Sequence, residues 1–193
     1  MYKKLLFCLL LGITLLISCQ TGRPIKRLSN EGMMYAMIYD YDNTSVSGAA
    51  VYINGKKTAD SDIQGRFILD KMKNGRYRIK LIKRGYETLE EFFQYDPMQV
   101  LYFKMINASQ LAVLAEKSLD NAEFAAAENY INRALLIEPN RSDILFLKSI
   151  ACYLQARNEE AVEILENLIK AGSNEPSISQ LLEKTRQTKL SEE

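Results

Sequence analysis

The chain contains no histidine and no tryptophan among its 193 residues. The missing histidine excludes Ser-His-Asp and Cys-His catalysis and histidine-based metal sites. No phosphate-cradling glycine-rich motif of the Walker or dinucleotide type is present either. Clustered aspartates, such as Asp40 with Asp42 and Asp60 with Asp62, could contribute to a calcium site, but Asp more often caps turns, and we favour that interpretation. We therefore expect no enzyme activity, no catalytic residue, no cofactor and no metal.

Cysteine and net charge are equally scarce. The chain has three cysteines, Cys8, Cys19 and Cys152, and we expect no disulfide framework among them. Cys152 lies in an apolar helical stretch and is expected to be a buried small hydrophobic residue. The formal net charge is +1, whereas a nucleic-acid-binding protein would show a basic excess. Residues 20–106 carry 14 basic and 10 acidic side chains, whereas residues 107–193 carry 9 and 14. This asymmetry supports a boundary near Asn107.

The first residues are typical of a secretory signal peptide. Two lysines precede an apolar run from Leu5 to Ile17, whose 13 residues are fewer than the roughly 20 that span a bilayer. The sequence Leu16-Ile17-Ser18-Cys19 then resembles the lipobox of bacterial lipoproteins. This resemblance implies cleavage before Cys19 and lipidation of that cysteine. The alternative is an ordinary signal peptide or a short uncleaved anchor.

We therefore assign residues 1–18 to the signal peptide and residues 19–32 to a polar, lipidated tether. The expected location is the cell envelope, with the protein held to a membrane by lipid. Gln20 follows the cysteine in place of the aspartate that retains some lipoproteins at the inner membrane, which favours the outer membrane. The sequence leaves open whether the protein faces the periplasm or the cell surface.

Residues 33–106 have the pattern of a β-sandwich. Short runs rich in β-branched and aromatic residues alternate with turn signals, and Asn54-Gly55 is a strong hairpin signal. The predicted strand runs are 35–39, 50–53, 66–69, 77–81, 88–95 and 100–105. The turn and strand motifs at 47–55, 61–67, 74–79 and 85–86 resemble a carboxypeptidase regulatory-like domain and its close variant, the PEGA domain. This resemblance implies a transthyretin-like (prealbumin-like) sandwich of about seven strands without catalytic function.

Residues 107–193 have a helical pattern with an internal repeat. Ala127 and Ala161 are 34 residues apart, and so are Ile131 and Leu165, which is the period of tetratricopeptide (TPR) repeats. The motifs at 124–127 and 159–161 resemble the start of the second helix of such repeats. We expect two TPR-like helical hairpins followed by a capping helix over 177–190, and hence an α+β protein of two domains.

Two surfaces are candidates for binding. In TPR repeats the first helix lines a groove that grips peptides, which here implies Phe146, Ile150 and Tyr153, unless these residues pack against the sandwich or the capping helix. Arg76, Arg78 and Lys80 alternate along one strand and form a basic face, which is either a ligand site or a solvated surface.

The leading functional hypothesis is a membrane-anchored, non-catalytic adaptor or scaffold that binds envelope proteins or peptides through the groove. The alternative is a ligand-binding module that recognises peptidoglycan or another anionic polymer through the basic face of the sandwich. No nucleic-acid partner is expected.

Overall fold

The computed structural model describes the backbone of residues 31–192 and the side chains of residues 31–188. The predicted signal peptide, Cys19 and nearly all of the predicted tether lie outside these residues. Within residues 31–192, no helix is both long enough and apolar enough to cross a bilayer. The described part is an α+β protein in which a β-sandwich precedes a helical region, as the sequence predicts.

Seven strands make up the sandwich in the described part of the chain. They are β1 (Gly32–Asp40), β2 (Ala50–Ile53), β3 (Lys56–Asp60), β4 (Arg66–Met72), β5 (Arg76–Ile82), β6 (Leu89–Gln94) and β7 (Val100–Met105). One sheet has the order β4-β1-β7, with β1 antiparallel to β4 and parallel to β7. The second sheet has the order β3-β2-β5-β6 and is antiparallel throughout.

The two sheets bury one apolar core between them. Alternate residues of each strand point inward, because successive side chains of a strand lie on opposite faces of its sheet. In β5, Ile79 and Leu81 are fully buried while Arg78 is exposed, as the alternating sequence predicts. The largest fully buried side chains of this core are Met34, Ile38, Leu69, Ile79, Leu81 and Met105.

Turn residues set the strand register. Asn54 and Gly55 both have positive φ, +48° and +84°, and join β2 to β3 in the predicted hairpin. Gly65 has φ +74°, and a Cβ atom there would lie 2.4 Å from the carbonyl oxygen of Ile38. Only glycine fits this close approach between the β3–β4 loop and β1.

Five helices follow in the described residues. They are α1 (Ala108–Asp120), α2 (Phe124–Ile137), α3 (Ser142–Leu154), α4 (Asn158–Lys170) and α5 (Pro176–Glu192). The helices α1, α3 and α5 begin 34 residues apart, and so do α2 and α4. The equivalent residues Ala127 and Ala161 are both fully buried, where a small side chain lets neighbouring helices approach closely.

The α1–α2 and α3–α4 loops have the same conformation. Ala122 and Ala156 occupy equivalent positions and have φ values of +58° and +57°. In both loops the next residue donates its backbone N–H to a carbonyl five residues earlier, from Glu123 to Ser118 and from Arg157 to Cys152. This pattern closes the end of the first helix of each hairpin in the same way.

Candidate interaction surfaces

The sandwich and the helical region share a polar junction. Asn107 caps α1 by accepting from the backbone N–H of Gln110, and the Gln110 side chain accepts from the backbone N–H of Asn107. The same glutamine donates from Nε2 to Asp42 Oδ2 at 2.6 Å, which links α1 to the loop after β1. Because Gln110 is 9% exposed, this contact lies within the junction rather than on its rim.

A second set of junction contacts involves the β5–β6 connection. Arg133 of α2 donates to both carboxylate oxygens of Glu87, Nε to Oε1 at 2.9 Å and the second guanidinium nitrogen to Oε2 at 2.6 Å. This hydrogen bonding is the main cause of the raised pKa of the Arg133 guanidinium. The Glu87 backbone N–H also donates to the carbonyl of Ile106, and the backbones of Tyr86 and Asn107 form an isolated antiparallel β-bridge. Together these contacts restrain the helical region against the sandwich.

The predicted groove residues on α3 have different surroundings. Phe146 is half-buried and packs against the cluster that Leu165 of α4 and Ile178 of α5 help to form. Ile150 is half-buried against the cluster shared by α1, α2 and α3. Tyr153 is half-buried with Lys184 Nζ of α5 at 5.2 Å from its ring centre. Phe146 and Ile150 thus contribute to helix packing, which leaves Tyr153 as the strongest of the three candidates for contact with a partner.

The predicted basic face lies on β5 of the four-stranded sheet. Arg78 and Lys80 both pair with Glu90 of β6, at 3.3 and 4.0 Å, and they line a shallow depression of about 390 Å³. Arg76 lies over the Phe92 ring, 4.4 Å from its centre. Glu90 therefore offsets part of the positive charge that an anionic polymer would need.

An apolar surface that the sequence analysis did not single out covers the outside of the three-stranded sheet. We call it the outer apolar face, and it comprises Tyr35, Met37, Ile68, Val100 and Tyr102. These residues line an open depression of about 710 Å³, which the Asp62–Arg66 ion pair borders at the end nearest Met37, and Tyr35 and Tyr102 are 54% and 66% exposed. A signal was present in the sequence, because the run from Met33 to Tyr39 has no polar residue at alternate positions, which is typical of a strand covered on both faces.

One aspartate of each carboxylate cluster, Asp40 or Asp62, caps a turn. Asp40 Oδ1 accepts from the backbone N–H groups of Asp42 and Thr44. Asp62 Oδ1 accepts from those of Gln64 and Arg66, and the bond from Arg66 is the main cause of the lowered pKa of Asp62. In the part of the chain that the structure describes, no group of three or more cysteine or carboxylate side chains is placed to hold a metal ion.

Cys152 is fully buried in α3 and has a free thiol. Burial is the main cause that raises its pKa to about 11, with a further contribution from the negative charge of Glu160. A thiol with this pKa is almost entirely protonated near neutral pH, and protonated thiols are poor nucleophiles. The surroundings of Cys152 therefore suit packing rather than chemistry.

The comparison with protein families gives one match. Residues 43–105, about a third of the chain, match the PEGA domain family. The match covers β2 to β7 together with most of the loop after β1, and it confirms the resemblance to PEGA domains for this stretch. No curated protein matches the chain.

Several solved structures resemble part of the chain at low overall similarity. A streptococcal ancillary pilin has a TM-score of 0.35 and 24% identity over 40% of this chain and 29% of its own. The Bacillus anthracis TIE protein has a TM-score of 0.35 and 20% identity over 40% of this chain and 16% of its own. The 3-chlorocatechol 1,2-dioxygenase of Rhodococcus opacus 1CP has a TM-score of 0.30 and 10% identity, over 39% of this chain and 58% of its own. In each case the match spans less than two thirds of the other protein.

Proposed function

We propose that the protein is a membrane-anchored, non-catalytic lipoprotein that acts as an adaptor in the bacterial cell envelope. In this proposal Cys19 carries the lipid, the PEGA-type sandwich is the support, and the helical region binds a partner protein or peptide. The outer membrane is the favoured location. The observation that carries the adaptor role is the junction, where Glu87–Arg133 and Asp42–Gln110 hold a repeat-like helical region in a defined position on the sandwich.

We assign the helical region to the TPR type. The 34-residue spacing of the helix starts, the equivalent loop conformations at Ala122 and Ala156, and the buried alanines of α2 and α4 support this assignment. The helix α5 has the position of a first helix and packs against α4 through Ile178, as a capping helix would. Two hairpins alone are marginal in such architectures, so this packing also contributes to their stability.

The structural roles of several potentially reactive groups in the described residues support the non-enzymatic part of the proposal. The sequence has no histidine, and the aspartates Asp40 and Asp62 are engaged by backbone N–H groups of their own turns. The thiol of Cys152 is buried and held in its protonated form. An adaptor needs none of these groups to react, since it functions by binding alone.

Affinity capture from detergent-solubilised envelopes tests the adaptor role. The tagged full-length protein should recover a defined partner, and Tyr153→Ala should weaken that recovery severalfold because it removes the ring that would border the proposed groove without opening the core. Phe146→Ala is a poor probe, since losing a packed phenylalanine costs about 3 kcal/mol and would perturb the fold. Leu136→Ala is the matched control, because Leu136 lies on α2 and is 83% exposed.

Two results would contradict the adaptor role. One is that no protein is recovered above the level of an untagged strain. The other is that Tyr153→Ala leaves recovery unchanged while co-sedimentation with peptidoglycan depends on Arg76 and Arg78. The second result would establish the ligand-binding alternative in place of the adaptor.

A further inference from the structure

The central strand of the three-stranded sheet is apolar on both faces, but only one face is covered by the described residues. The inner residues of β1, such as Met34 and Ile38, are buried in the sandwich core. The outer residues contribute to the outer apolar face, together with Ile68 of β4 and Tyr102 of β7. A contiguous exposed apolar patch on a sheet is typical of an interaction surface.

The outer apolar face continues into one particular end of the sandwich. We call this the leader end and define it by residues 31–33, 71–75 and 95–99. Lys73 pairs with Glu31 at 3.0 Å, and Tyr95 donates its backbone N–H to the Gly75 carbonyl, which brings the three segments together. The parallel strands β1 and β7 both start here, since Tyr35 pairs with Val100.

A hydrogen-bonded turn at the leader end presents an exposed apolar side chain. The backbone N–H of Gln99 donates to the Asp96 carbonyl, and the N–H of Met98 donates to Asp96 Oδ1 at 2.9 Å. Pro97 restricts the backbone further. Met98 is 91% exposed at the tip of this turn, and Met33, at the start of β1, is 52% exposed.

The helical region is attached at the opposite end. The strand β1 ends at Asp40, which pairs with Met105 at the end of β7, and α1 begins three residues later at Ala108. The segment that precedes Glu31 therefore enters at the leader end, while the helices project from the other end. The stretch from Cys19 to Glu31 can span at most ~40 Å when fully extended.

From this arrangement we infer that the leader end, together with the part of the outer apolar face nearest to it, rests on the surface of a lipid bilayer, with Met98 and Met33 inserted at the headgroup boundary. The helical region is then directed away from the membrane, where a partner can reach it. The inference rests on the proposed lipid anchor at Cys19, which would hold this end within ~40 Å of the bilayer. Tyrosine and methionine side chains are suited to contact with a bilayer, because tyrosine is enriched at membrane interfaces and methionine is flexible and apolar.

The charges at the leader end set the character of the contact. Glu31 and Asp96 balance Lys71 and Lys73, so the described residues of this end carry no net charge. Attraction to anionic headgroups is therefore a minor contribution, and burial of apolar side chains is the main one. The contact should form on zwitterionic lipid and should change little with salt.

The absence of tryptophan from the chain makes a sharp test available. Met98→Trp places a single fluorescent reporter at the leader end, and Ile63→Trp is the matched control. Ile63 is 86% exposed, but it lies in the β3–β4 loop near the end of β1, away from the leader end. Each processed, lipidated variant is reconstituted into phosphatidylcholine vesicles with ordinary or brominated acyl chains, and flotation measures vesicle association separately.

The inference predicts that both variants float with the vesicles and that only Met98→Trp reports lipid. Its emission should shift to the blue and be quenched roughly twofold by brominated chains, because a side chain at the headgroup boundary reaches the first acyl carbons. The emission of Ile63→Trp should be unchanged. Raising the salt concentration should leave both results as they are.

Three results would overturn the inference, and they separate it from the proposed anchor. Flotation without quenching of Met98→Trp leaves the anchor intact and removes the bilayer contact. Failure of both variants to float removes the anchor and this inference together. If Met98→Trp emission instead shifts with protein concentration in the absence of lipid, the outer apolar face is an interface between copies of the chain.

Discussion

Arg133 of α2 and Glu87 of the β5–β6 connection form a two-bond ion pair that joins the helical region to the sandwich. The two side chains are about one third exposed, 32% and 37%, so solvent screens the pair only partly. A fork-shaped guanidinium that meets both oxygens of a carboxylate also fixes orientation, which a single bond does not. The pair is therefore suited to hold the two regions at one angle.

Glu87→Gln and Arg133→Gln should each lower the free energy of unfolding by about 1 kcal/mol, since the pair is partly screened. Proteolytic cleavage around Asn107 should become faster, because the junction opens more often. Lys57→Gln, which removes the exposed Lys57–Asp60 pair, is the control and should change neither quantity. Urea unfolding and limited proteolysis measure the two effects, and recovery in the charge-swapped double variant Glu87→Arg with Arg133→Glu would confirm that the pair itself is responsible.

Glycine in place of the left-handed loop alanines should stabilise the helical region. Ala122→Gly and Ala156→Gly should each raise the free energy of unfolding by about 1 kcal/mol, because an L-residue at φ near +57° is strained. Ala126→Gly, within the helix α2, should instead lower it by about 0.5–1 kcal/mol. Thermal unfolding of the three variants measures whether the two loop variants are stabilised and the helix variant is destabilised. A destabilised Ala156→Gly would argue against the loop conformation.

Cys152 should be unreactive in the folded protein. Its raised pKa of about 11 leaves on the order of 0.1% thiolate at pH 8, and its side chain is fully buried. Iodoacetamide at pH 8 should therefore modify Cys152 only after denaturant is added. Peptide mass spectrometry reads this residue separately from the other cysteines, and rapid modification without denaturant would show that α3 opens.

Asp62 should contribute to the acid sensitivity of the sandwich. Its pKa is lowered in the folded protein, chiefly by the backbone N–H of Arg66, so its stabilising effect is present above the unfolded pKa of about 4 and is lost as pH falls through the folded value. Asp62→Ala should unfold at a lower temperature than the parent chain at pH 7, and the difference should shrink below pH 4. Asp62→Asn keeps the Oδ1 acceptor without the charge, so its deficit should be smaller at pH 7.

The sequence predicted the sandwich well where alternation and turn chemistry agree. The strands β2 and β7 have the bounds that the pattern predicted, since β2 ends at the Asn54–Gly55 turn and β7 ends two residues before Asn107, the cap of α1. The strand β3 was not among the predicted runs, since Lys56–Asp60 is almost entirely polar and forms only because the Asn54–Gly55 turn folds it onto β2. The turn therefore carried information that the strand itself did not.

The candidate surfaces were harder to predict, because they depend on contacts between distant residues. Glu87 and Arg133 are 46 positions apart, and no local pattern pairs them. The helical spacing placed Phe146 on one side of α3, but whether that side is open depends on where α5 packs. The groove and the basic face stay predictions.

The most direct measurement of the central claim is the fractionation of cells that produce Cys19→Ser. The parent protein should be cleaved before residue 19, sediment with membranes and partition into detergent, whereas Cys19→Ser should lose lipid-dependent processing and detergent partitioning. Cys8→Ser is the matched control, because Cys8 lies in the predicted signal peptide and should change nothing. If Cys19→Ser is processed at the same bond and still partitions into detergent, the protein is not anchored through this cysteine.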